Sequence, residues 1–529
     1  MGFQLKIILR IFLVMAVSLL VFNCTGRSTT ELPSLSVLDI NPGNLTQGIR
    51  RDESITIAFD QNIDEQSVNQ NSIIVSDQFG NLVEPVEINV NDNLVNLKPG
   101  RKLLQRTTYS VTVTTQVRSV SGSSLSTNFI SSFTTQVNDW YGPSYFQANG
   151  HPTMAIDDDG NLVTAIWRYN SSNFTYEIIR EEYRDGAWNQ PQVISGIQAQ
   201  SYSPSVAVDN NGNAIIVWNV SSDSTIMICE LRNGTWSEPR VFSTLNRPVS
   251  NPSVSMNDAG DAIVVWENNR TLYKSEYSSG IWNTPVVVSN NDGNADNPKV
   301  ILKNSGDGSI IWNHRDLSTG RGRLFSVELR NGLWSAPKLI SVSGGNVSPL
   351  YDIAMDSEGN IIAVWQQSSD IFKNEFREGS WLTPVQLNPI GVWASGGRVA
   401  MSDNGSATIV WQQLDSVINI VASIYDNGSW SSSITVSDGQ YQSRGATVEM
   451  DGYGNALIGW SQINGDAWWI MSQQYFNGDW KTELIFGISY NSVNAISPGI
   501  AMNYSGDAII AWRAWDLFGD FYQYRSQYY

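Results

Sequence analysis

Four tryptophans, Trp393, Trp468, Trp469 and Trp515, stand outside a pattern that accounts for the other sixteen of the twenty in this chain of 529 residues. An indole face packs well against the apolar C–H side of a sugar ring, and neighbouring amides can satisfy its hydroxyls. Gln366, Gln367, Gln412, Gln413 and Gln462 follow repeat tryptophans closely enough to supply them. With His314 and Arg315, which occupy an equivalent point of the pattern, Trp393, Trp468, Trp469 and Trp515 form the candidate ligand-binding set. Trp and Arg also anchor protein interfaces, so a protein ligand stands beside a carbohydrate. A second chemistry is glycoside or polysaccharide cleavage by a carboxylate pair drawn from Glu267, Asp316, Asp370, Asp415, Asp466 and Asp516. Glycosidases hold their two carboxyls about 5 or about 6.5 to 9.5 Å apart. Sequence displays no such distance, and no catalytic residue is assigned. Only two histidines occur, His151 and His314, without Cys-x-x-Cys or His-x-x-x-His spacing. Neither a zinc site nor a His-dependent nucleophile is expected, and no metal or cofactor is assigned.

The elements that must position these residues are written in the sixteen remaining tryptophans. One pattern, clearest from Pro204 to Trp218, ends at Trp167, Trp218, Trp266, Trp312, Trp365, Trp411, Trp460 and Trp512, 46 to 53 residues apart. A second, Asn-Gly-x-Trp-Ser-x-Pro in its fullest copies, carries Trp188, Trp236, Trp282, Trp334, Trp381, Trp430 and Trp480, and its eighth member is Trp140 at the start of the region. Alternating apolar positions at a period near fifty predict four-stranded units stacked into a β-propeller. The count predicts eight blades, seven contiguous and one shared between the two ends of the region, which would pair otherwise exposed strand edges. Each first-pattern Trp marks the end of a second strand, so the non-repeat tryptophans and both histidines are expected in loops on one face. Function collects on such loops.

Between the first two strands of each unit stands a tetrad such as Asp209 to Gly212, Asp356 to Gly359 or Asp451 to Gly454. An acceptor first and Gly fourth suit a type I turn closed by a left-handed glycine. Calcium is the sharper alternative, above all at Asp157 to Asn161. It needs about six to eight oxygens, and copies such as Lys303 to Gly306 offer too few.

Met1 to Phe22 carries Lys6 and Arg10, then an apolar run from Ile11, with Cys24 just behind. The run is too short for a spanning helix and is expected to be a secretion signal. Val21-Phe22-Asn23-Cys24 resembles a bacterial lipobox of the looser, spirochaete-like kind. That resemblance implies that Cys24 becomes the lipidated first residue of a mature protein held at the cell surface or outer membrane. Cys229 is expected to be a small buried hydrophobe. The formal charge is −18, or −20 without Lys6 and Arg10, and such a surface is repelled by nucleic acid and by anionic headgroups. A lipid anchor is thus the only membrane contact expected.

Ahead of the repeats, strand-like runs such as Ser54 to Phe59 and Thr108 to Val113, with turn signals between them, predict a small β-sandwich. Ile40-Asn41-Pro42, Ile57 to Asp64, Leu97-Lys98-Pro99, Leu103-x-x-x-Thr107-Thr108-Tyr109 and Ser132-Phe133-Thr134-Thr135 occur there in order. This segment resembles the bacterial Ig-like domain of S-layer-associated and surface proteins. The resemblance implies an extracellular spacer or adhesive module and brings no catalytic residues. The expected organisation is all-β: a signal at 1–23, a linker at 24–34, an Ig-like sandwich at 35–137 and the propeller at 138–529. The expected function is a secreted surface lipoprotein whose propeller binds an extracellular carbohydrate or protein. A carbohydrate-active enzyme and a structural envelope component are the alternatives.

Overall fold

The computed structural model describes residues 33–529 except 79, 84–85, 105, 137–139, 148–149, 151, 185, 197–199, 245–247, 290–292, 465–466, 482–493, 516–520 and 529. Cys24, His151, Asp466 and Asp516 lie outside the described residues, as does the side chain of Trp515. Among the described residues the chain is β throughout apart from one 3-10 turn, Glu65–Ser67, and no helix is long and apolar enough to cross a membrane.

The first unit is a sandwich of two four-stranded sheets. One sheet orders Val37–Asn41, Ile55–Phe59, Leu94–Pro99 and Val86–Asn91, and the other orders Thr46–Ile49, Phe129–Thr135, Thr108–Val113 and Ile73–Asp77. Strict alternation turns Ile55, Ile57, Phe59, Val95, Leu97, Val111, Val113 and Phe133 into one buried core. The opposite positions face solvent, as a half-buried strand requires.

Eight successive antiparallel sheets follow, each built in the order of the repeat. Seven are contiguous, the first running Thr153–Ile156, Leu162–Asn170, Thr175–Arg184, Ala187–Trp188. The eighth is Asn494–Met502, Ala508–Trp515, Phe521–Tyr528 and then Trp140–Gln147 from the start of the region. First strands pack side by side from sheet to sheet, and Asn494–Met502 packs against Thr153–Ile156. This is the architecture of a β-propeller.

The two tryptophan patterns do different jobs. First-pattern Trp218, Trp266, Trp312, Trp365, Trp411 and Trp460 are fully buried between sheets. The indole N–H groups of Trp365, Trp411 and Trp460 donate to Oε1 of Gln367, Gln413 and Gln462 at 3.1, 3.2 and 3.1 Å. Those three amides, expected above to meet a sugar, thus serve the core. Second-pattern tryptophans clasp neighbouring sheets: Trp236, Trp282, Trp334 and Trp430 donate to Glu182, Glu230, Glu276 and Glu375 of the preceding sheet at 2.7, 3.2, 2.8 and 2.8 Å. Arg180 and Lys373 cover the rings of Trp236 and Trp430 at 4.1 and 4.5 Å, and Arg525 of the eighth sheet covers Trp188 of the first at 3.5 Å.

The hairpin turns form as expected. Gly160, Gly212, Gly359 and Gly454 adopt φ of 84, 76, 81 and 93°, a left-handed conformation that glycine takes without Cβ strain. The leading carboxylate is consumed locally: Asp157, Asp209, Asp356 and Asp451 each accept from both the backbone and the amide of the Asn four residues on. The next residue links turn to turn. Tyr504 N donates to the Asp158 side chain at 3.3 Å, and the backbone N–H groups of Asp158, Asn210 and Asp258 donate in series to the side chains of Asn210, Asp258 and Asn304 at 2.9 Å each.

The sandwich is seated on this hairpin face. Arg51, only 4% exposed, donates to Asp507 and the Ser505 carbonyl of the propeller and, at 2.5 Å, to the Leu103 carbonyl of its own domain. Lys102 reaches Asp507 at 3.2 Å, and Arg101 lies 3.5 Å from Asp158 and 4.5 Å above the Tyr504 ring. Tyr453 packs into the edge of the sandwich core.

Candidate functional site

The opposite face carries the loops after each second strand and those entering each next sheet. It is shaped by one recurrent device: almost every first strand is bulged near its loop end, as between Tyr202 and Ser205, Ser250 and Ser253, Asp296 and Lys299, or Ser395 and Arg398. Ser203, Asn251, Asn297 and Gly396 take positive φ there, at 49, 49, 50 and 68°. A bulge bends the strand and re-aims the side chains beyond it.

Trp393 stands in the loop entering Ala394–Met401 and is 37% exposed, an unusual position for so large an apolar ring. Trp468 and Trp469 open Ala467–Phe476 of the next sheet and are half-buried. The Arg444 guanidinium lies 5.5 Å from the Trp468 ring centre, and the Trp469 indole N–H is buried without a partner among the described residues. Arg315 is exposed. His314 differs from the rest of the set: it is 3% exposed, with its ring 5.0 Å from Phe325 and tucked under Gly293. A Cβ at Gly293 would lie 2.1 Å from His314 Nε2, so glycine is required there. The structure thus sets Trp393, Trp468, Trp469 and Arg315 at the loop ends of their strands and places His314 in the packing beneath.

The candidate acids separate by what they bond. Asp316 caps its own turn, and the Ser318 and Thr319 groups hold its carboxyl well below the ordinary range. Asp370 accepts from Gln386 and Asn388 at 3.0 Å each, and Asp415 from Gln413 and Asn419 at 3.1 and 3.3 Å. Glu267 is different: burial, with the Asp296 charge adding to it, raises its pKa although Ser250 donates to it at 2.9 Å. Asp296 in turn accepts from Asn313 at 2.9 Å. Sequence reading passed over Asp296, since nothing in the repeat marks a residue just before a bulge.

Residues 32–135 match the family model of a bacterial Ig-like domain. No curated protein matches the chain. Among solved structures, the Dos1 propeller aligns at 9% identity over 73% of this chain and 95% of its own, with a TM-score of 0.49. The β-propeller domain of the trilobed protease from Pyrococcus furiosus aligns at 9% identity over 67% and 97%, TM-score 0.40. A polysaccharide lyase, an ulvan lyase, aligns at 12% identity over 57% and 87%, TM-score 0.38.

Proposed function

We propose that this is a secreted, lipid-anchored surface protein in which the Ig-like domain holds an eight-bladed propeller as a binding module for an extracellular carbohydrate or protein. In this reading Cys24 carries the anchor, and pairing of Trp140–Gln147 with Phe521–Tyr528 closes the ring. An Ig-like domain beside a propeller fits a surface binding module. One observation carries the reading furthest: the sandwich occupies the hairpin face through Arg51, Arg101 and Lys102, so the face bearing Trp393, Trp468, Trp469 and Arg315 is the one left to a ligand. Its half-exposed indoles and nearby Arg444 suit a sugar ring with polar substituents, or a protein side chain pocket.

The test is a glycan array probed with residues 25–529 and with a Trp393→Ala, Trp468→Ala double variant. Binding by the parent that the variant loses supports a carbohydrate site on this face. Binding retained by the variant places the ligand elsewhere, and absence of glycan binding by the parent leaves the protein-ligand form of the proposal, to be sought by crosslinking at the same two positions. Mass spectrometry of the mature N-terminus checks acylation of Cys24.

A further inference from the structure

The axis of the propeller is lined by the first strand of every sheet. Four residues before each hairpin turn, these strands carry Thr153, Ser205, Ser253, Lys299, Asp352, Arg398, Thr447 and Gly499. Two residues before it they carry Ala155, Ala207, Ser255, Ile301, Ala354, Ala400, Glu449 and Ala501. Three neighbouring sheets thus replace a small polar residue with a charge, and the next replaces an Ala-type residue with a carboxyl. The other side of the ring keeps small residues.

The four groups converge. Lys299 Nζ lies 2.6 Å from Asp352 of the next sheet, and Val399 N of the sheet after donates to the same carboxylate at 3.3 Å. Burial pushes the Asp352 carboxyl up, but Lys299 and Arg398 outweigh it and hold it below its ordinary value. Glu449, a further sheet round, still feels the charges of Asp352 and Lys299, a reach across the axis rather than along one sheet. The lumen is wet here, since the Lys299 side chain remains 40% exposed.

Two groups keep hydrogen-bonding capacity in reserve among the described residues. Among the described residues Glu449 has no hydrogen bond, and burial, Asp352 and Lys299 act on it. Arg398 makes one hydrogen bond, from Nη1 to the Gly397 carbonyl at 3.0 Å, leaving most of its fork free among the described residues. Burial, with the Asp352 charge adding to it, pushes Glu449 up to about 8. At neutral pH its carboxyl is therefore protonated and can donate, while Lys299 and Arg398 against Asp352 leave the lumen one net positive charge. That sign is opposite to the −18 of the whole chain.

We infer that this lumen is a binding site for a small carboxylate-bearing molecule, held by the Arg398 fork with Lys299 and Glu449 beside it. A guanidinium matches a carboxylate with two parallel N–H···O bonds, and a neutral carboxyl adds a third donor. The hairpin-side mouth is narrowed by Lys303 bridging to Asp403 at 3.0 Å and by Arg101 of the sandwich against Asp158. The site is separate from the exposed indoles and does not depend on what they bind.

Isothermal titration of the full chain with D-glucuronate, with D-glucose as the neutral control, tests this. The expected result is binding of glucuronate alone at pH 6.5, weakened at least tenfold by Arg398→Gln. Lys299→Met is the second variant should Arg398→Gln not fold, with the same loss expected. Raising the pH through 8 ionises Glu449, which faces Lys299 and Asp352, and weakens binding in the parent but not in Glu449→Gln. No uptake of glucuronate at pH 6.5, equal uptake of glucose, or binding indifferent to both cation variants overturns the proposal.

Discussion

The two faces of the propeller are built from the same strands yet are finished in opposite ways. On the hairpin face most turns repeat one solution: a carboxylate or amide closes its own turn, the next residue bonds to the neighbouring turn, and the sandwich covers several of them. On the loop face no two loops share a sequence, and bulges aim the strand ends individually. Regularity marks the side where polar groups satisfy one another, and irregularity marks the side where indoles and guanidinium groups remain for something else. Polar satisfaction is therefore a better guide to the working face than residue type alone.

The comparison can be broken hardest at Arg51. Arg51→Ala leaves Asp507, 0% exposed at its side chain, with Lys102 as its remaining cation. Removing one member of a buried pair costs about 3 to 5 kcal/mol. Chemical denaturation should show that loss, together with a split into two transitions as the sandwich and propeller uncouple. A single unshifted transition would mean the clamp is not holding the domains. A smaller effect is expected at the clasps: Trp236→Phe keeps the ring but strips the bond to Glu182, worth about 1.5 to 3 kcal/mol for a charged acceptor. The smallest effect belongs to the loop face, where Trp393→Ala should shift stability by no more than about 0.5 kcal/mol. A large destabilisation there would show that Trp393 packs as core and would remove it from the ligand face.

The fold was legible because placing two indoles in every unit, one buried and one clasping the neighbouring sheet, leaves a periodic trace in the sequence. Hairpin chemistry was equally plain, since a left-handed glycine and an acceptor three residues earlier are local demands. Recognition of the sandwich rested on its ordered motifs, and the family match at residues 32–135 agrees with it. Two things were not local. The Gln amides after Trp365, Trp411 and Trp460 look like free hydrogen-bonding groups in sequence, but their partner is the indole two residues back on the same strand face. His314 looked like loop equipment because its strand runs further than its neighbours, to Asp316, and carries it into the packing. The charged lumen did leave a trace, in Lys299, Asp352, Arg398 and Glu449 standing where the repeat otherwise keeps small residues. It becomes visible when the eight copies are laid side by side, position by position.

Arg51 and Asp507 are 456 residues apart in the chain. A ribosome therefore releases the sandwich long before the surface it will sit on exists. The partners of its basic edge, Asp158 and Asp507, belong to the first and last sheets, the two that Phe521–Tyr528 brings together by pairing with Trp140–Gln147. Docking is thus a late event, and a chain cut short before Asp507 would leave Arg51 without its buried partner.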